Sequence, residues 1–131
     1  MVKLIYSRSD QMIIFEHGDG TATPFECRNA HFSGNNDDGQ PYESLPLGSY
    51  TVHAYEPPAE DSDGYGTFYI ATGDPRGRDI HGGGSGLDDP KAARQGWYPT
   101  LGCLRMQNED GEALSMLIIA AGNDVPLEVL A

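Results

Sequence analysis

The sequence predicts a mainly β fold, that is, a β-rich α+β domain with one helix in its C-terminal half. Seventeen glycines and nine prolines favour a chain with many turns and argue against a helical bundle. Seven tyrosines and four phenylalanines supply bulky side chains that fit strands. Several short runs alternate apolar and polar side chains, as strands with one buried face do. Because 131 residues suffice for one core, residues 1–131 are expected to form a single domain.

The expected strands are short and are separated by turns. Asp19 and Gly20 form a strong hairpin signal after the second strand. Pro24 lacks a backbone donor, so the third strand is expected at an edge or a break of the sheet. Val52 and Ala54 alternate with polar neighbours and indicate the buried face of the fourth strand. The strands are expected over residues 2–7, 12–16, 21–27, 49–55, 66–71, 78–81 and 125–130.

One helix is predicted from residue 108 to residue 120 or 121. Asn108 is expected to cap the first turn, where the carboxylate of Glu109 complements the positive helix end. Gly122 is expected to end the helix, since glycine readily takes the left-handed conformation found there. The residues predicted to face the core are Leu114, Leu117, Ile118 and Ala121.

Two long connections are expected, an acidic one over residues 56–64 and another over residues 85–99. The second is long for a compact domain, and loops of this length are usually functional. A short helical turn is predicted over residues 88–94, with a proline near its start. Trp97 and Tyr98 either line a cleft or anchor this loop on the core, and the sequence leaves both interpretations open.

The distribution of charge favours some functions over others. A net charge of −12 argues against nucleic-acid binding, which needs a basic face. Most of the few cationic residues nevertheless fall in one stretch, which suits a site that binds carboxylates. Alternatively, several of them pair with neighbouring acids on a solvated surface. The residues in question are Arg76, Arg78, Lys91, Arg94 and Arg105.

The sequence predicts no membrane-spanning segment and no Sec-type secretory signal. No stretch approaches the ~20 apolar residues that a membrane span requires. The first residues lack the apolar region of a Sec-type signal, so the protein is expected to be made in the cytoplasm. Export by a dedicated machine, which needs no such signal, is compatible with this expectation.

His81 and Cys103 are the residues most suited to chemistry. Each lies beside glycine, which permits a close approach of substrate to the backbone. A thiol reacts as its thiolate, and a nearby imidazole can take its proton. Each residue alone is most often structural, as a buried thiol or as a hydrogen-bonded turn histidine. Together they predict a cysteine acyl-transfer site.

The second cysteine receives a structural interpretation. Cys27 is expected to be a half-buried thiol near an edge strand. A disulfide to Cys103 would block the nucleophile, and one pair gives little support for a disulfide framework. Zinc binding by these cysteines with His31 and His81 depends on a weak local pattern. We therefore expect no metal and no cofactor.

A family resemblance accompanies these two residues. Residues 100–105 read Thr-Leu-Gly-Cys-Leu-Arg and follow an upstream Ile-His-Gly at residues 80–82. This pattern resembles the signature of the L,D-transpeptidase (YkuD-like) catalytic domain, and the likeness extends back to the Leu-Pro-Leu-Gly-Ser-Tyr-Thr-Val run over residues 45–52. The resemblance implies a mixed-sheet sandwich or barrel. The variant is similar to small domains of type VI secretion effectors and phage-associated proteins. Leu101 stands where many members carry a second histidine.

The resemblance also implies roles for individual residues. Cys103 would be the nucleophile and His81 its base. The backbone N–H groups of Gly102 and Leu104, beside that of Cys103, would hold the oxyanion. The other roles implied are orientation of His81 by Gly82, Gly83 or Asp79, and substrate binding by Arg105, Thr100, Arg78, Trp97 and Tyr98.

The implied substrate is the tetrapeptide stem of peptidoglycan. Water as acceptor would make the chain an L,D-carboxypeptidase, a free D-amino acid would give exchange, and a second stem would give a cross-link. A secreted antibacterial effector would act in the periplasm after specialised secretion or phage-mediated release, and a cognate immunity protein would be its partner. The alternatives are an inactive peptidoglycan-binding or phage structural module, and an endopeptidase or amidase with the same residue pair.

Overall fold

The computed structural model describes residues 1–55 and 64–131, which form eight strands and one helix. The predicted acidic connection over residues 56–64 lies, apart from Gly64, outside the described residues. The seven predicted strands lie close to their expected positions, although the fifth and sixth are shorter, and an additional strand, Leu104–Arg105, was not predicted. They are β1 (Lys3–Ser7), β2 (Met12–Glu16), β3 (Ala22–Glu26), β4 (Gly48–Ala54), β5 (Tyr69–Ala71), β6 (Ile80–His81), β7 (Leu104–Arg105) and β8 (Val125–Leu130).

The strands form one mixed sheet in the order β3-β2-β1-β8-β4-β5-β6-β7. Two of its pairings are parallel, β1 with β8 and β6 with β7. The other pairings are antiparallel. The prediction of a mainly β fold with a mixed sheet is therefore confirmed. Strand β3, which contains Pro24, lies at the end of the strand order, as the proline indicated.

The two ends of this sheet meet. Arg28, just beyond β3, forms an antiparallel bridge with Arg105 of β7, and two backbone hydrogen bonds of 2.8 Å join the residues. A parallel bridge between His31 and Thr100 continues the contact. The sheet consequently curls into a barrel-like layer. Strand β7 is held by β6 on one side and by the Arg28 segment on the other.

The core lies on one face of the sheet and beneath the helix. In β4, Val52 and Ala54 are buried as their alternation predicted. His53 points to the other side, is exposed, and lies with its Nδ1 3.2 Å from a carboxylate oxygen of Asp124. The largest fully buried side chains include Tyr6 and Phe68.

Helix α1 (Asn108–Ala120) packs against β4 and β5. Its N-cap is Gln107, so the expectation that Asn108 would cap the helix is wrong. Asn108 is instead fully buried and binds the preceding loop, because its amide donates to the carbonyl of Ala92 at 2.8 Å. Among the described residues, no helix has the length and apolar character that a membrane crossing needs.

The buried face of α1 differs slightly from the predicted one. Leu114 and Ile118 are fully buried, whereas Ala121 is exposed beyond the last turn. Gly111 completes the face, because a side chain there would collide with the ring of Phe68. The predicted helical turn over residues 88–94 is absent, and this segment forms bends and isolated turns instead.

Candidate active site

The pairing of β6 with β7 brings the predicted residues to one face of the sheet. In this parallel register Ile80 lies opposite Leu104, and His81 lies opposite Arg105. Side chains alternate between the two faces of a strand, and those of paired residues share a face. Ile80 and Leu104 are fully buried in the core. The other face therefore carries Asp79, His81, Cys103 and Arg105.

This face lines a cavity of about 470 Å³. His81 and Cys103 both contribute to its wall, and Arg105 contributes as well. The opening is flanked by partly exposed apolar and aromatic side chains, among them Phe32 and Leu101. The cavity thus presents a thiol, an imidazole and a guanidinium to one bound molecule.

The thiol of Cys103 is free and lies at the end of a short turn. Its Sγ accepts a hydrogen bond from the N–H of Asp79 at 3.3 Å and lies 3.7 Å from the carbonyl oxygen of Gly77. Burial raises the pKa of the thiol. The Asp79 N–H and the charge of Arg105 oppose this rise, while the Asp79 carboxylate adds to it. At neutral pH the resting thiol is protonated and needs a base.

His81 supplies a neutral imidazole to the same cavity. Its Nδ1 lies 2.8 Å from the carbonyl oxygen of Gly82, a contact that assigns the proton to Nδ1 and leaves Nε2 as an acceptor. Burial lowers the pKa of the ring to about 4, so the imidazole is neutral at neutral pH. Tyr65 meets the ring edge-on at a centroid distance of 4.9 Å, and Tyr69 stacks on it at 6.1 Å. The ring is therefore both neutral and held in one orientation.

The Asp79 carboxylate makes its hydrogen bonds to Tyr69 and Thr72 and not to the imidazole of His81. The hydroxyl of Tyr69 donates to one carboxylate oxygen. The backbone N–H of Thr72 donates to the other at 2.8 Å, and the Thr72 hydroxyl lies 3.2 Å from that same oxygen. Of the three predicted orienting groups, Gly82 contacts the ring directly, while Asp79 supports the strand on which His81 lies. The carbonyl of Gly83, the third group, accepts a hydrogen bond from Arg105.

Two of the predicted oxyanion donors are engaged within the protein. The N–H of Gly102 donates to the hydroxyl of Thr100 at 3.0 Å. The N–H of Leu104 donates to the carbonyl of Asp79 at 2.8 Å. The N–H of Cys103 itself has no acceptor among the described residues. Thr100 also donates its hydroxyl proton to the Cys103 carbonyl at 2.7 Å, so its hydroxyl stabilises the turn.

Arg105 is a buried cation without a carboxylate partner in residues 1–55 and 64–131. Only 4% of the residue is exposed, and one terminal nitrogen donates to the Gly83 carbonyl. Its Nε has no hydrogen-bond partner in the described part of the chain. Burial lowers the pKa of the guanidinium to about 10, which still leaves it charged at neutral pH. An anionic group entering the cavity would meet this charge.

Other cationic residues of the stretch are paired, as the alternative interpretation expected. Arg78 binds Asp74 through two contacts of 2.8 and 3.1 Å. This pair is buried and lies under the turn before Cys103, so Arg78 contributes to the cavity wall as a paired cation. Surface ion pairs join Arg76 to Glu43 and Arg94 to Asp110.

Trp97 and Tyr98 have different positions. The guanidinium of Arg28 lies over the Trp97 ring at 4.2 Å from its centroid, which anchors that part of the loop. Tyr98 lines the cavity and meets Phe32 edge-on at 5.7 Å. Cys27 is fully buried, not half-buried as expected, because the curled sheet covers it completely.

Sequence reasoning missed several residues of the site. Tyr69 and Thr72 hold Asp79, and Gln95 contacts the turn after His81. Tyr69 lies opposite His81 in the pairing of β5 with β6, a relation that requires knowledge of the strand order. Alternation along the strand alone gives no such signal.

Comparisons with known proteins bear on the fold. No family model matches the sequence, and no curated protein shows significant similarity to it. Solved structures do match. An L,D-transpeptidase from Stackebrandtia nassauensis aligns with a TM-score of 0.62 at 15% identity, over 99% of this chain and 55% of that one. The fold is that of the L,D-transpeptidases.

Two further structures share this L,D-transpeptidase fold. The helical cell shape determining protein Pgp2 from Campylobacter jejuni gives a TM-score of 0.62 at 18% identity, over 98% of this chain and 46% of that one. L,D-transpeptidase 1 from Mycobacterium tuberculosis gives a TM-score of 0.52 at 14% identity, over 99% and 61%. This chain therefore spans about half to three fifths of the length of these proteins.

Proposed function

We propose that this chain is a peptidoglycan-modifying cysteine acyltransferase, an L,D-carboxypeptidase or L,D-transpeptidase that acts on tetrapeptide stems. The observation that carries the proposal is that His81, Arg105 and Cys103, the residue just before β7, line one cavity. A nucleophile, a neutral base and an unpaired cation are the groups that acyl transfer on a carboxylate-bearing peptide requires. The L,D-transpeptidase fold supports the choice of substrate.

Acylation would begin with proton transfer from the Cys103 thiol to Nε2 of His81. The thiolate attacks the carbonyl at the L-centre of diaminopimelate, and a carbon–sulfur bond forms. The carbon–nitrogen bond to the terminal D-alanine then breaks, and the amine leaves with the proton from His81. The product is a thioester on Cys103. A neutral imidazole has a lone pair that can accept the proton, and the imidazolium so formed can return it to the leaving amine.

The oxyanion and the substrate carboxylate would each have one donor group ready. The N–H of Cys103 has no acceptor in residues 1–55 and 64–131 and is available for the oxyanion, and a single well-placed donor typically lowers the barrier by about 3 kcal/mol. Arg105 is the group for a stem carboxylate, since a buried guanidinium is strongly stabilised by an anion. The acceptor that resolves the thioester decides the outcome: water hydrolyses it, a D-amino acid exchanges with the lost residue, and a second stem forms a cross-link.

The test is incubation of the purified chain with one tetrapeptide muropeptide, followed by mass spectrometry of the products. We expect loss of D-alanine, and replacement by an added D-amino acid if exchange occurs. Cys103→Ala and His81→Ala should each lower turnover at least about 1,000-fold with the fold retained. Cys27→Ala and His53→Ala are matched controls that should remain active.

Three results would contradict the proposal. Turnover in Cys103→Ala equal to that of the unaltered protein would show that Cys103 is not the nucleophile. An unaltered protein without turnover, whose Cys103 also resists iodoacetamide, would favour the inactive peptidoglycan-binding or phage module. Cleavage at a different peptide bond of the stem would instead indicate an endopeptidase or amidase.

The resemblance to small effector and phage-associated domains extends the proposal to a place of action. The chain would act in the periplasm after specialised secretion or phage-mediated release, and a cognate immunity protein would bind it in the producing cell. Expression in a Gram-negative host with and without an added export signal tests this. Growth arrest is expected only with the signal and only when Cys103 is intact. Arrest by Cys103→Ala would contradict an enzymatic toxin.

A further inference from the structure

The residue before helix α1 has an unusual arrangement. Gln107 occupies the N-cap position, yet its side chain makes no hydrogen bond to the first turn of the helix. N-cap side chains normally accept a hydrogen bond from that turn. Gln107 is 96% buried, and its amide is directed at the loop instead. Such departures from a local rule often mark sites where another function takes precedence.

The Gln107 amide holds both backbone groups of one loop residue. Its Oε1 accepts from the N–H of Gln95 at 2.6 Å, and its Nε2 donates to the carbonyl of Gln95 at 2.9 Å. This two-point contact fixes the position of Gln95, although the loop has no helix or strand of its own here. The helix start therefore serves as an anchor for residue 95.

Gln95 in turn holds the turn that follows His81. Its side-chain Oε1 accepts from the N–H of Gly83 at 2.8 Å, and its Nε2 donates to the carbonyl of Pro90 at 2.6 Å. The donor and acceptor ends of the amide thus have different partners. The acceptor end alone holds the Gly83 N–H, while the donor end binds the Pro90 carbonyl.

The turn held by Gln95 contains the two carbonyls that orient the site. Gly82 accepts from Nδ1 of His81, and Gly83 accepts from Arg105. Gly83 has a positive φ of 76°, a conformation that few residues other than glycine adopt and that external contacts must keep in place. We propose that Gln95 and Gln107 are positioning residues, which hold His81 and Arg105 in working orientation through the backbone of Gly82 and Gly83.

This inference rests on the proposed use of His81 as the base of Cys103. Gln95 and Gln107 do not line the cavity, so neither contacts a bound substrate. Their effect must arise through the orientation of His81 and Arg105. Misplacement of a reacting group by about 1 Å can lower a rate by about 100-fold. Loss of the Gly83 hydrogen bond is therefore expected to impair proton transfer while the sheet remains intact.

The main test compares Gln95→Met with Gln95→Glu in the full chain. Methionine keeps the length of glutamine and removes both hydrogen bonds, whereas glutamate keeps an acceptor for the Gly83 N–H. The readout is the rate at which iodoacetamide alkylates Cys103, at about pH 7 and at about pH 10. At the lower pH the thiol needs His81, and at the higher pH hydroxide can remove its proton.

We expect Gln95→Met to lower the rate at about pH 7 by about 10-fold or more, towards that of His81→Ala, with no change at about pH 10. Gln95→Glu should recover most of the loss. Gln40→Met, the same change at an exposed residue, is the matched control. Gln107→Glu, which loses the donor to the Gln95 carbonyl, should act in the direction of Gln95→Met, and thermal unfolding of each variant reports on the fold.

Two results would overturn the inference. One is an unchanged rate at about pH 7 in Gln95→Met. The other is an equal loss at both pH values, in both Gln95 variants, together with a lower melting temperature, which would assign these residues to loop stability alone. Because alkylation needs no peptidoglycan, the outcome is distinct from that of the proposed function. A wild-type protein without muropeptide turnover but with this pH-dependent difference would refute the function and keep the positioning role.

Discussion

The buried neutral imidazole of His81 makes stability depend on pH. When the pH falls from about 7 to about 5, a histidine in the unfolded chain becomes protonated, because its ordinary pKa is near 6.5. In the folded protein burial lowers the pKa of His81 to about 4. Between these two values the unfolded chain binds more protons than the folded one. The free energy of unfolding is therefore fully retained above about pH 6.5 and falls as the pH decreases towards 4.

The size of the effect follows from the difference between the two pKa values. One pKa unit corresponds to about 1.4 kcal/mol, so the whole shift is equivalent to about 3 kcal/mol. At about pH 5 only part of this is expressed, and the expected loss is about 2 kcal/mol. Because only 3% of His81 is exposed, solvent screening reduces this value little. The loss is a large fraction of the 5–15 kcal/mol that stabilises a typical domain.

The assay is urea denaturation of the unaltered protein and of His81→Asn at both pH values. Asparagine can donate to the Gly82 carbonyl as Nδ1 of the histidine does, but it does not titrate. We expect the unaltered protein to lose about 2 kcal/mol more than the variant between the two pH values. An NMR titration of the His81 ring, with a midpoint near 4, provides the direct measurement.

Equal losses in the two proteins would refute this reasoning. So would a ring titration with its midpoint at or above about 6, close to the ordinary value. In either case the resting site would contain an imidazolium at mildly acidic pH. The general-base role given to His81 would then have to be replaced by that of a charged partner of a thiolate.

Two further substitutions test the packing around the site. Gly111→Ala should lower the free energy of unfolding by about 1–2 kcal/mol, because a collision with Phe68 outweighs the gain of about 1 kcal/mol in helix propensity. Urea denaturation measures this free energy, and a variant more stable than the unaltered protein would contradict the packing. Tyr69→Phe removes the hydroxyl that donates to Asp79 and should reduce stability at neutral pH by about 1–3 kcal/mol, whereas unchanged stability would show that the Asp79 carboxylate does not need this donor.

Several features of the fold could be predicted from local sequence. Strand β4 shows its buried face through the alternation of Val52 and Ala54. Pro24 indicated an outer strand, and β3 lies at the end of the strand order. In both cases the signal depends on one residue and its neighbours. Such local signals survive folding because the backbone itself imposes them.

Other features depend on contacts between distant segments and left no local signal. Asn108 has the side chain of a helix cap, but the loop preceding it offers carbonyls that bind its amide, so Gln107 takes the N-cap position. The predicted oxyanion donors are engaged because Thr100 folds back on Gly102 and because strand pairing uses the N–H of Leu104. Strand order and competition between side chains for the same backbone groups depend on which distant segments meet in the folded chain, and local sequence does not show this.

The contact between the two ends of the sheet, where the Arg28 segment beyond β3 meets β7, determines how much of the chain is needed to hold Cys103 in place. Cys103 precedes a strand of only two residues, which is too short to be stable alone. Its outer neighbour is the chain near Arg28, and that segment continues the N-terminal strands. The Cys103 thiol thus lies beside the contact between the Arg28 segment and β7, two parts of the chain that are far apart in sequence. Removal of the N-terminal hairpin would take this neighbour away from β7, so the position of Cys103 depends on the N-terminal strands as well as on β6.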